Sequence, residues 1–148
     1  ATRAELAAVA TALRPTCVAD DVLLLLNGAP EDAHALGYDG AHLSGARLAG
    51  IDVRPDAPGW IGASCHDSTD LARARALALD CAVLSPVRAT PGHATAASLG
   101  WRRWARQVRS AGLPVYALGG MGVVDVGVAQ RLGGQGIAAI RGLWPACV

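Results

Sequence analysis

Apolar runs along this chain alternate with amphipathic stretches in a strict strand-then-helix order, the pattern of parallel βαβ units. Arg3 to Leu13 places apolar residues at helical spacing, and Val22 to Leu26 follows as a continuous apolar run ending at Asn27-Gly28. Pro30 to Leu36 predicts a short helical segment that leads through Gly37 into a strand, Gly40 to Leu43. Trp60 to Ser64 predicts a third strand, closed by His66. Asp67-Ser68-Thr69-Asp70 then supplies capping residues ahead of the helical run Leu71 to Leu77. Cys81 to Leu84 reads as the fourth strand, and Ser85 to Leu99 as a long loop rich in Gly, Pro, Ser and Thr. A helix from Trp101 to Ser110 carries Trp101, Trp104, Ala105 and Val108 at helical spacing. Val115 to Leu118 and Ile137 to Ile140 read as the last two strands, with a helix over Val123 to Leu132 between them.

Strands alternating with helices define the α/β class. A closed TIM (β/α)8 barrel takes roughly 200 residues or more. A chain of 148 residues with about six βα units therefore reads as such a barrel, incomplete at its N-terminus. The N-terminal side is the short one because the last two strands already carry the marks of the phosphate site such barrels place there. Gly119-Gly120 follows one of them, and Arg141 follows the other. Glycines let backbone N–H groups approach an anion closely, and a following helix would aim its positive end at the same point. An open sheet leaves apolar edges, so another segment or a second copy of the chain is expected to cover them. No internal repeat or linker interrupts the βα period, so residues 1–148 read as one domain.

Composition narrows the function classes. The hydrophobic fraction of 52% suits a folded core. All thirteen basic residues are arginines scattered along the chain, and the net charge is +1. Neither a nucleic-acid patch nor lysine Schiff-base or P-loop chemistry is expected. Cys17, Cys65, Cys81 and Cys147 form no CxxC pair and no zinc spacing with His34, His42, His66 or His93, and read as buried, reduced thiols. No apolar run approaches the length of a membrane span, which places the protein in the cytoplasm with no membrane partner.

Several polar residues fall at strand ends, where barrel chemistry collects. His66 reads either as a general acid/base or as a helix-start residue that hydrogen-bonds its turn. His42 reads as a core histidine or a catalytic one. Asn27 and Ser64 are pocket hydrogen-bond donors or strand-end groups. Gly119 and Gly120 bind an anion or only make a tight turn. Arg141 grips that anion or pairs with a carboxylate such as Asp125. The four tryptophans, Trp60, Trp101, Trp104 and Trp144, are expected mainly in the core, with exposure of Trp144 marking a partner surface.

In order along the chain, Leu24-Leu25-Leu26-Asn27, Gly40-Ala41-His42-Leu43, Ile61-Gly62-Ala63-Ser64-Cys65-His66, Leu84-Ser85-Pro86-Val87 and Tyr116-Ala117-Leu118-Gly119-Gly120-Met121 resemble the thiamine phosphate synthase/TenI superfamily. The ending Ile137-Ala138-Ala139-Ile140-Arg141-Gly142-Leu143-Trp144 is similar to the TenI-like C-terminal domains fused to MutT-type Nudix hydrolases. The resemblance implies a ligand that is a phosphorylated thiazole or pyrimidine, a place in thiamine metabolism, and a ligand-binding set of Asn27, His42, Ser64, Thr90, Gly119, Gly120 and Arg141. It also exposes departures. Synthases end the strand at Asn27 in Asn-Asp and carry a second acidic metal ligand after the His-Leu motif. Here Gly28 and the run Ser44-Gly45-Ala46-Arg47-Leu48 stand in those places. Magnesium wants carboxylate oxygens, so the expectation is no metal and no cofactor. The Thr-x-Thr-Lys loop of the synthases is reduced to Thr90 with Gly92 and His93 in the last two places. Thiazole tautomerisation, as in TenI proteins, with His66 as acid/base, is thus the enzymatic expectation ahead of the synthase transfer. The alternative is a non-catalytic ligand-binding or structural domain associated with a Nudix (8-oxo-dGTP diphosphatase-like) hydrolase.

Overall fold

The computed structural model describes residues 1–89 and 98–144. Six strands form one fully parallel sheet in sequential order: β1 (Leu25–Asn27), β2 (Gly40–Leu43), β3 (Trp60–Cys65), β4 (Cys81–Leu84), β5 (Val115–Ala117) and β6 (Gly136–Ile137). The connections are α2 (Pro30–Ala33), α3 (Gly45–Ala49), α4 (Ser68–Ala76), α5 (Gly100–Ala111) and α6 (Val126–Arg131), after an N-terminal α1 (Arg3–Ala19). This is an α/β architecture of TIM-barrel type, with β1 and β6 each paired on one side only among the described residues.

Period-two alternation sorts the strand residues between two faces. Ile61, Ala63 and Cys65 of β3 are fully buried and share a core with Leu71 and Ala74 of α4, Leu84 of β4, and Trp104 and Val108 of α5. Leu26 and Ala41 pack in the same way against Ala10 and Leu36 in a smaller core on the N-terminal side. The alternate residues Asn27, His42, Gly62, Ser64, Cys81, Val83 and Tyr116 therefore line the other, concave face, where a closed barrel keeps its interior.

Two matching devices brace the N-terminal ends of the strands. Asp39 accepts the Leu24 N–H at 2.8 Å and pairs with Arg14 at 2.8 Å, while Arg14 also donates to the Gly37 carbonyl. Asp80 accepts the Ile61 N–H at 2.8 Å and pairs with Arg54 at 2.8 Å, and Arg54 reaches the Ala78 carbonyl. Each aspartate, placed just before one strand, thus satisfies an N–H at the start of the strand before it. The Leu24 hydrogen bond and Arg14 hold the Asp39 carboxyl below the usual carboxylate range. At Asp80, burial acts in the raising direction, yet the Ile61 hydrogen bond and Arg54 outweigh it and the net shift is downward.

Some element boundaries differ from those expected. Helix α1 runs on through Pro15 to Ala19 instead of ending at Leu13, because Arg14 is anchored on Asp39 and Gly37 and holds the chain helical past the proline. Strand β1 begins at Leu25, leaving Val22 and Leu23 about half exposed. Strand β6 stops at Ile137, and Ile140 is 80% exposed; among the described residues no strand pairs with the outer side of β6 to extend the ladder. The helix expected over Val123 to Leu132 is a 3₁₀ turn (Val123–Asp125) followed by the six residues of α6. The short α3, capped by the Ser44 side chain on the Arg47 N–H, was not expected at all. Trp60 and Trp144 lie outside the core, 43% and 73% exposed, whereas Trp104 is buried with Trp101 edge-on against it.

Candidate functional site

Asn27, His42, Ser64, His66, Gly119 and Gly120 all fall at or beyond the C-terminal halves of their strands, the end where barrels of this type carry their chemistry. His42 Nε2 lies 2.9 Å from Ser64 Oγ, joining β2 to β3 across the concave face. Asn27 and Gly62 flank His42 in register, and the space over Gly62 is bordered by His42 Nδ1 and Cys81 Sγ. Burial pushes the His42 imidazole below the ordinary histidine range, so it is neutral at pH 7.

His66 is exposed just past β3. Its backbone N–H donates to Asp70 Oδ2 at 2.8 Å, and Asp67 caps α4 by accepting from the Thr69 and Asp70 N–H groups. The Nδ1 atom faces the Ser85 carbonyl oxygen at 3.1 Å. A carbonyl only accepts, so Nδ1 carries a proton, and Nε2 is the ring atom left to exchange one. That edge of the ring lies over Gly45 at the start of α3. The neighbouring Cys65 thiol is buried on the helical side, its pKa raised to about 12 by burial, and makes no pair with His66.

After β5 the backbone takes an unusual course. Gly119 and Gly120 have φ of +104° and +66°, the left-handed region that side chains disfavour. In an extended strand, successive carbonyls point to opposite sides. Here Leu118, Gly119 and Gly120 all turn their carbonyls toward the segment after β4. They accept from the Val87 N–H (2.8 Å), the Arg88 N–H (3.1 Å) and the Arg88 guanidinium (3.0 Å). C=O and the next N–H are antiparallel across a trans peptide. The amides of Gly119, Gly120 and Met121 therefore face away from that segment, and none has an acceptor among the described residues. Such consecutive amides make an anion-binding concavity. Gly119 is buried and Gly120 exposed. Because α6 begins only at Val126 and is short, any pull on an anion comes from these amides rather than from a helix dipole.

The alternative pairing of Arg141 with Asp125 is not what the structure holds. Asp125, 4% exposed, forms a bidentate pair with Arg88 at 2.7 and 3.0 Å and accepts the Gly122 N–H at 3.0 Å. The Arg88 guanidinium holds its carboxyl well below the usual range, and also lies 5.9 Å from the Trp101 ring centroid. Arg141 is exposed in the turn after β6, which packs through Gly142 on the Met121 backbone, so the two terminal loops are adjacent. Arg88 leaves no signal in the sequence, because a lone arginine at the start of a Gly/Pro-rich loop carries no mark of a partner 37 residues away. Thr90 and His93 lie outside the described residues.

At the positions that the resemblance assigns to magnesium, few oxygen donors are present. Gly28 offers no side-chain donor, the run Ser44 to Leu48 after β2 has no carboxylate, Asp52 further along pairs with Arg73, and Asp70 and Asp125 are engaged by backbone and Arg88. No group of three or more metal-ligating side chains occurs among the described residues. A cavity of about 280 Å³ between α4 and α5, lined by Leu71, Arg75, Gln107 and Ala111, lies on the helical side and contains none of the candidate residues.

Parallel βα units with polar side chains and bare amides gathered at the carboxyl ends of the strands define a barrel-type α/β protein whose candidate site lies at that rim. The chain belongs to the thiamine monophosphate synthase (TMP-TENI) family, whose model matches residues 1–143. It is 36% identical over 149 residues to a thiamine-phosphate synthase of Bordetella avium, covering 93% of this chain and 67% of the relative. A thiamine-phosphate synthase of Chromobacterium violaceum is 35% identical over 144 residues with the same coverages. One from Deinococcus radiodurans is 36% identical over 137 residues, covering 90% of this chain and 49% of the relative. The chain thus spans about half to two thirds of the length of these relatives. The solved structure of a thiamine phosphate pyrophosphorylase from Pyrococcus furiosus shares the fold, with a TM-score of 0.74 at 22% identity, over 95% of this chain and 67% of that one. None of the described helices is long and apolar enough to cross a membrane.

Proposed function

We propose that this thiamine phosphate synthase/TenI-like domain, working in the cytoplasm, binds a phosphorylated thiazole or pyrimidine and shuttles a proton on it as a metal-independent tautomerase. The observation that carries the reading is the run of three amides at Gly119, Gly120 and Met121 turned away from the β4 segment, beside the turn that bears Arg141. The phosphate would sit on those amides, with Arg141 free to swing over it from the adjacent turn. The heterocycle would extend over the concave face toward Asn27, His42 and Ser64. His66 would be the acid/base: Nε2 takes a proton from the ring carbon next to the tautomerising bond and returns it to the neighbouring position. Neutral His42 and Ser64 would orient the ring by hydrogen bonds. With no carboxylates at the magnesium positions, the pyrophosphate displacement of a synthase has no support from these residues.

A second reading, a non-catalytic ligand-binding or structural domain docked to a Nudix hydrolase or to a second copy of itself, draws on the exposed Ile140, Leu143 and Trp144 beside β6. Calorimetric titration with thiazole phosphate, followed by an isomerisation assay on the same sample, separates the two. Binding with turnover supports the tautomerase, binding without turnover leaves the ligand-binding domain, and no binding leaves the structural one.

A further inference from the structure

We propose that Arg88 is the positioning residue of the anion loop: it does not touch the phosphate but sets the direction of the amides that do. The proposal rests on the phosphate-binding reading above and deepens it. Of the three carbonyls turned toward the β4 segment, Leu118 and Gly119 are held by backbone N–H groups that any sequence would provide, whereas among the described residues Gly120 is held only by the Arg88 side chain. Fixing the Gly120 carbonyl fixes the Met121 N–H on the opposite side of the same rigid peptide plane. Without it, the peptide after a glycine at φ +66° is free to flip, and the last of the three amides leaves the concavity.

Asp125 completes the device. It grips both guanidinium nitrogens and, through Oδ2, also accepts the Gly122 N–H, so the loop is pinned on either side of Met121. Both Arg–Asp braces at the other end of the sheet anchor strand starts, whereas this pair sits at the site end. The aspartate also offsets the charge of the half-exposed Arg88 and engages both of its terminal nitrogens, which favours the loop over an incoming anion as their partner. Lysine cannot replace this fork, since one ammonium cannot span two carboxylate oxygens and the Gly120 carbonyl together.

The test is titration of the ¹⁵N-labelled chain with inorganic phosphate and with thiazole phosphate, following amide resonances, on wild type, Arg88→Ala, Arg88→Lys and Asp125→Asn. In wild type the Gly120 and Met121 amides should move on binding. In Arg88→Ala the Met121 response should vanish and affinity fall about tenfold, as expected for one lost charge-assisted hydrogen-bond anchor, with the rest of the spectrum folded. Arg88→Lys should fall between the two. Asp125→Asn should weaken binding even though it uncovers a positive charge, and tighter binding there would show that Arg88 contacts the anion itself and overturn the proposal. Wild-type binding retained in full by Arg88→Ala also overturns it while leaving the phosphate site intact. Should the alanine variant not fold, the lysine and asparagine variants decide by the same signs. A wild type that binds neither probe removes the phosphate reading and this inference with it.

Discussion

His66 Nδ1 donates a hydrogen bond to the Ser85 carbonyl oxygen at 3.1 Å, so the imidazole at the end of β3 is held by the end of β4. One backbone oxygen thereby fixes both the ring's plane and its tautomer, and the atom left to exchange a proton is Nε2.

Replacing His66 by Gln keeps a donor for that carbonyl and removes the exchangeable lone pair. Under the tautomerase reading, thiazole isomerisation should drop by about 10²- to 10⁴-fold, the usual contribution of a positioned acid/base, while calorimetric affinity for thiazole phosphate stays near wild type. An unchanged rate would leave the domain without its proposed catalyst.

Stability should decline toward acid in two stages. His42 has a folded pKa below its unfolded value of about 6.5. Its contribution is therefore complete above that value and is lost as pH falls through the folded pKa. Asp39, Asp80 and Asp125 are depressed from about 3.9 in the unfolded chain. Their contributions are present above that pH and disappear as pH falls through their folded values. Urea denaturation at stepped pH should show a first slope below about pH 6.5 that His42→Gln abolishes, and a steeper one below about pH 4 that it does not. A first slope that persists in the variant would assign it elsewhere.

Gly119→Ala places a Cβ 2.9 Å from Pro86 Cα at a φ of +104°. Strain and clash together should cost about 1–3 kcal/mol, read as a lower urea midpoint with unchanged m. Phosphate affinity should fall with it, because relief of the clash requires the loop to move.

Trp144, Leu143 and Ile140 are exposed beside β6, whose outer edge is unpaired among the described residues. Concentration-dependent self-association is expected by light scattering, and Trp144→Ser should shift it toward monomer. Identical scattering from both proteins at every concentration would show that this patch is not an interface.

Read by itself, the sequence determined the order of βα units, the parallel sheet, the strand-end location of Asn27, His42, Ser64 and His66, and the double glycine after β5. These follow from local periodicity, from capping and from turn chemistry, all of which act over a few residues. The capping run Asp67 to Asp70 was legible in the same way, and within it Asp67 caps α4. Only the tertiary structure decided which arginine meets Asp125, because Arg88 lies 37 residues away and reaches it across two loops that packing, not local sequence, brings together. The same holds for helix α1 continuing past Pro15, where the pairing of Arg14 with Asp39, 25 residues apart, outweighs the local preference to break. Contacts at that separation leave no mark in a single sequence, and it is they that turn a pair of glycines into a set of aimed amides.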